Sequence, residues 1–264
     1  MKSFVLLCLL MTLCAAQMAG PPLRVDRRRP TGNMLDQAVQ AIKTAKSNVQ
    51  SIQSNIRRAK TNFQLNTQNE LSNINYQSFK TITDVESTRL QYIKVCYHHE
   101  RSNTLMQKKR KGQLEKSEEA KASGKDADQC LNGVTSNMKS GSQAARNELN
   151  KCDTQGKQLL QTQLLAFDTL QADGQKLLND LDNIALQCYN SNIVEMASCM
   201  SVKVGIVNMS IRNYQQQANK LQSDAQSQKN NIIQTTFRCN NRAVDVCRSA
   251  STEAIYAAAN CLKN

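Results

Sequence analysis

Tryptophan is absent from this 264-residue chain, only eleven residues are Tyr or Phe, and only two are histidine. Few side chains are therefore left to build an aromatic ligand pocket or an acid–base centre. All three prolines, Pro21, Pro22 and Pro30, lie in the first thirty residues. Glycine is missing from 33 to 111 and again from 206 to 264, so neither of the two main helix breakers interrupts those stretches. No GxSxG, HExxH, phosphate-loop or dinucleotide-binding pattern occurs, and no cysteine pair has the CxxC spacing of a redox centre or zinc knuckle. The chemistry expected of the chain is not enzymatic, and no cofactor is implied.

The first residues, MKSFVLLCLLMTLCAAQ, carry one charge at Lys2, an unbroken apolar run from Phe4 to Met11, and then small residues. They read as a secretory signal peptide over 1–16, too short for a membrane span of about 20 apolar residues. No later window looks apolar enough to cross a bilayer, so the expected product is secreted, extracellular and without a transmembrane segment. Removing 1–16 discards Cys8 and Cys14 and leaves Cys96, Cys130, Cys152, Cys188, Cys199, Cys239, Cys247 and Cys261. An even number in an oxidising compartment predicts four disulfides, among 105 pairings that spacing alone does not resolve.

The mature chain keeps 33 of the 34 basic residues and all 21 acidic ones, a net charge of +12. Such a balance favours polyanions as partners: an anionic glycan, an anionic lipid surface, nucleic acid or an acidic protein. Two clusters concentrate it. Arg27, Arg28 and Arg29, with Arg24, form a basic arm within 17–32, expected to lack structure and able to dock on an anionic surface. Lys108, Lys109, Arg110 and Lys111 close the stretch CYHHERSNTLMQKKRK and read as an anion contact, a processing site or a plain solvated turn.

Periodicity gives the fold class. Leu35, Ile42, Val49, Ile56 and Phe63 recur every seven residues, with Ala38, Ala45, Ile52 and Ala59 three places after the first four. That is a heptad seam, offering either an internal core or a homo-oligomer surface. The stripe slips phase beyond Phe63, which predicts a break or stutter near residues 61–73. A long helical, coiled-coil-like segment is expected over 33–111. A looser Gly-containing region of short helices follows at 112–156, then a cysteine-bearing helical bundle at 157–264, with a turn at "YNSN" and a polar tip at 226–231. The whole predicts an all-α, elongated, disulfide-braced helical bundle, with 33–264 as one extended domain.

Helical geometry constrains the site residues. Cys247 and Cys261 lie two heptads apart on one face and must pair with other helices, whereas Cys188 and Cys199 flank a turn that a bridge could close. His98 and His99 point about 100° apart and cannot chelate a metal as an i, i+4 pair would, so no metal is expected. Asn208, in "NMS", heads a glycosylation sequon inside a predicted helix, where occupancy is disfavoured. The signal peptide, the Gln/Asn/Ala-rich helices and the spaced cysteines ending in FRCNNRAVDVCRSASTEAIYAAANC resemble insect secreted proteins with the TsetseEP-type domain, over roughly 90–262. That resemblance implies a secreted, non-enzymatic protein of insect secretions and supplies no catalytic residue. The remaining rivals are an amphipathic lipid or small-ligand carrier and a structural coiled-coil component.

Overall fold

Three helices without strand account for every described element: α1 (Thr31–Arg110), α2 (Ser117–Gln187) and α3 (Ile193–Lys263). The computed structural model describes the backbone of 31–110 and 117–263, and side chains over 33–99, at 102 and over 128–260. At 1.5 Å per residue the 80 residues of α1 span about 120 Å, so the chain is an elongated rod.

Cross-helix pairs fix the directions. Lys46 with Asp182, and Lys60 with Asp168, set α1 against α2 antiparallel. Lys229 on Glu70 at 2.7 Å sets α1 beside α3 in parallel. Cys188–Cys199 and Cys152–Cys239 lock α2 to α3, the second closing a sequence separation of 87 residues. In the chain-entropy account a loop of that length is worth about 4–5 kcal/mol of restricted unfolded chain.

The α2–α3 turn is where "YNSN" predicts it. Asn192 caps α3: its Oδ1 accepts the Val194 amide at 3.0 Å, while Glu195 Oε1 accepts from Asn192 Nδ2 at 3.1 Å. The Asn192 cap satisfies an amide that no helical carbonyl reaches, and Glu195 in the first turn both orients the capping side chain and complements the helix dipole.

The seam of α1 is buried within the chain itself. Ile42, Val49, Ile56 and Phe63 are all under 9% exposed, and Leu35 packs against the same cluster, so the surface expected to offer oligomerisation is covered by α2 and α3. No break interrupts α1 at 61–73. The stutter is there in place of a break: the inward positions step through buried Phe63, Thr67 and Leu71 to half-buried Ile74, an 11-residue step of the kind that relaxes a heptad supercoil. Thr67 holds the middle of it, wholly buried, donating to the Phe63 carbonyl at 2.6 Å.

Residues 112–156 were expected to form short helices between turns, yet α2 runs unbroken from Ser117. Two of the glycines there serve close approach rather than bending. A Cβ on Gly141 would collide with Ala250, and one on Gly156 would lie 2.6 Å from Thr236 Oγ1. Likewise α3 passes through the polar tip expected at 226–231 without interruption, steadied by Gln226 donating to Asn230 Oδ1 at 3.2 Å. Phe237, six residues beyond that tip, is 51% exposed.

Two cysteine expectations are corrected. Cys96 and Cys247 are free. Cys247 is buried 3.6 Å from Ser142 Oγ and 3.8 Å from the Ile82 carbonyl, so hydroxyl and carbonyl, not sulfur, face it. Cys96 sits on the half-exposed flank of α1, one turn from Tyr92, whose hydroxyl it pushes up in pKa chiefly by a side-chain hydrogen bond and then by its charge. Cys130 is disulfide-bonded, and the side chain of Cys261 lies outside the described residues. The equal 22-residue spacings 130–152 and 239–261 are what an antiparallel register requires, because the pairing of 152 with 239 carries position 130 to the level of 261. Among the described residues, α3 contains an 18-residue window of mean hydropathy 1.2, long and apolar enough to cross a membrane by length and composition, of which 17% is buried.

Candidate binding grooves

Three rods packed side by side leave grooves between them, and their lining follows from the positions flanking each seam. On α1, Asn48, Asn55, Asn62 and Asn69 recur every seven residues, the first three immediately before Val49, Ile56 and Phe63. Burial of the apolar partner therefore fixes the amide at the rim. On α3, Gln215, Asn219 and Gln222 occupy the facing positions, with Gln215 Nε2 donating to Asn219 Oδ1 at 2.7 Å.

Between them lies an open groove of about 380 Å³, floored by Ile52, Ala59 and Ala218 and edged by Asn55, Asn62 and Arg58. No carboxylate lines it, and Arg58 makes no ion pair among the described residues. Each amide offers two N–H donors and a carbonyl acceptor, and a guanidinium presents a planar fork to a carboxylate or sulfate. Apolar floor, amide walls and one unneutralised cation suit a ligand with hydroxyls and fixed negative charge.

A second groove of about 550 Å³ runs between α1 and α2, with Gln68, Asn69, Ser72 and Gln161 above Leu71 and Leu164. Its cation, Lys157, is held by Asp153 Oδ2 at 2.6 Å, so this groove is electrically quiet by comparison.

Arg27, Arg28, Arg29 and the side chains of Lys108, Lys109, Arg110 and Lys111 lie outside the described residues. Thr31, where α1 begins, lies at the end of the rod that carries the α2–α3 turn, and Arg110 ends α1 at the opposite end. His98 and His99 are both exposed, and no group of three His, Cys, Asp or Glu able to hold a metal occurs among the described residues. Asn208 is half-buried within α3. Spacing had singled out Ile52 and Ala59 of the groove floor but none of its polar residues, although the asparagines at sevens were there to be read.

Tyr214 sits between the three helices nearby. Its ring tip fills the space that a side chain at Gly174 would need and rests beside Gln53. The hydroxyl has no hydrogen-bond partner, and burial, then the Asp173 charge, push its pKa up to about 12 against a smaller lowering by Arg57.

No family model matches this chain, and neither a curated protein nor a solved structure is similar to it.

Proposed function

We propose that this is a secreted, non-enzymatic helical protein that binds anionic glycans along the α1–α3 groove. The observation that carries this reading is Arg58, an uncompensated guanidinium in a groove otherwise walled by amides. A linear acidic polysaccharide supplies hydroxyls to the amides and a sulfate or carboxylate to the guanidinium. The α1 asparagines Asn48, Asn55 and Asn62 continue the same chemistry over about 21 Å of helix. The net charge of +12 expected for the mature chain adds attraction at long range. This reading agrees with the resemblance of residues 90–262 to insect secreted TsetseEP-type proteins, as a binding component of a secretion rather than a catalyst.

Heparin is the probe. The secreted chain should stay on a heparin column at physiological salt and leave only above about 0.3 M, because each neutralised anion contact releases counterions and steepens the salt dependence. Arg58→Glu should elute markedly earlier with the fold intact. Passage of the wild type through the column at physiological salt, or identical elution of the variant, would overturn the reading.

A further inference from the structure

The end of the rod that carries the α2–α3 turn is apolar on the outside as well as within. Leu186 is 77% exposed, Tyr189 83%, Val194 44%, Val202 62%, Ile206 55% and Met209 57%. Val202, Ile206 and Met209 stand at i, i+4 and i+7, one stripe of α3, on the side opposite Met200, Val204 and Ile211 in the core. Gly205 lies between them with open space where a Cβ would go, so the stripe is unobstructed. Past Met209 the outer face turns polar, at Asn213, Gln216 and Lys220, so the apolar surface stops within a few turns of the hairpin. This is the region of α3 whose apolar window is mostly unburied. Exposed apolar patches of this kind mark contact sites.

We propose that this end of the molecule docks on anionic lipid bilayers, laying the hairpin and the outer stripe of α3 into the membrane interface. Charge decides between a bilayer and a second copy. Arg27, Arg28 and Arg29 precede α1 by no more than four residues, about 14 Å of extended chain, and α1 begins beside the hairpin. A second copy meeting this end would bring two such clusters together, whereas an anionic headgroup layer attracts each cation by about 1 kcal/mol.

The described acids at this end are nearly balanced, Asp182 by Lys46 and Asp36 and Asp180 by Lys43 and Lys203, while Glu195, bonded by the neutral Asn190 and Asn192, keeps its charge, so the attraction to an anionic surface comes from Arg27, Arg28 and Arg29. The Cys188–Cys199 bridge holds the turn in shape, so little ordering remains to be done on contact. Amphipathic helices that bind this way settle about 5–10 Å into the interface, enough to cover Val202, Ile206 and Met209 without opening the bundle.

Flotation of the secreted chain with vesicles tests this. It should float with phosphatidylcholine vesicles containing about 30 mol% phosphatidylserine and stay behind with phosphatidylcholine alone, as a basic arm beside an apolar face requires. The triple variant Val202→Ser, Ile206→Ser, Met209→Ser should lower the bound fraction about tenfold or more, since three apolar contacts are removed. Because all three side chains point to solvent, its melting curve should match the wild type. Arg27→Ala, Arg28→Ala, Arg29→Ala should weaken binding and flatten its salt dependence. Absence of flotation, equal flotation of wild type and triple variant, or a wild-type dimer in sedimentation that the triple variant loses, would each overturn the proposal. Arg58→Glu lies away from this end and should float as the wild type does, which keeps this result separate from the glycan reading.

Discussion

The two halves of the rod are held together differently. Toward the hairpin the core is made of large side chains: Ile42, Val49, Ile56, Phe63, Leu160, Phe167, Met200 and Ile211 pack into one cluster from all three helices. Toward the other end it divides into two smaller clusters in which Ala145, Ala243, Ala254 and Ala258 stand beside Ile82, Ile93 and Met138. Polar residues join it there: Ser142, Ser251, Thr236 and Asn240 are all at or below 2% exposed. At the boundary Asn240 donates to Asn75 at 2.7 Å and Asn75 to Asp153 at 2.5 Å, linking one residue from each helix. One half gains stability by removing apolar area from water, the other by close approach, hydrogen bonds and the Cys152–Cys239 bridge. Polar layers of this kind tolerate sliding poorly, so the second half sets the register that the first half exploits.

The sharpest way to break the comparison is to hollow the aliphatic half. Phe167, 1% exposed, stacks on Phe63 with ring centroids 5.7 Å apart. Phe167→Ala should cost about 3–5 kcal/mol, seen as a lowered urea midpoint at unchanged slope. A loss no greater than that of an ordinary surface substitution would mean that this cluster is not where the stability lies.

In the small-residue half the opposite change should do the harm. Gly141→Leu puts bulk where α2 and α3 already touch at Ala250, and should cost about 1–3 kcal/mol by forcing the helices apart. Gly205→Ala serves as the control, because nothing lies within 4 Å of the new methyl group and replacing glycine in a helix should stabilise by up to about 1 kcal/mol. Thermal melts of the two variants should therefore move in opposite directions. Movement together would show that the glycines matter through helix propensity alone.

That contrast explains what was legible in the sequence. The seam from Leu35 to Phe63 announced itself because large apolar residues at sevens have few other readings. Thr67 and Ser78 continue the buried line of α1 but are polar, and each hides its hydroxyl on the carbonyl one turn back, so the 11-residue step read as a slip. Gly141 and Gly156 were taken for turn residues because an isolated sequence does not reveal a neighbouring helix close enough to exclude a side chain. Cys247 joined the expected disulfides because its type and compartment fit, whereas pairing depends on what faces it, a serine and a carbonyl. Of the grooves, the asparagines at 48, 55, 62 and 69 were visible. Arg58 acquires meaning only when α3 supplies the other wall without a carboxylate.

The smallest effect belongs to the place where the aliphatic half carries an unsatisfied polar group. Tyr214 is 3% exposed and its hydroxyl has no partner, so Tyr214→Phe removes a buried polar atom without leaving a cavity. Its effect at neutral pH should lie within about 1 kcal/mol of zero, with stabilisation expected. The pH dependence gives the clearer signature. A phenol whose folded pKa stands at about 12, above the ordinary 10.0, stabilises the fold fully below the unfolded value, and that contribution is lost as pH rises from 10 through about 12. Urea midpoints for the wild type should fall more steeply over that interval than those of Tyr214→Phe, while the two run parallel below it. Parallel curves throughout would mean that Tyr214 ionises as freely in the folded chain as in the unfolded one, and that Gly174 opens the site to water.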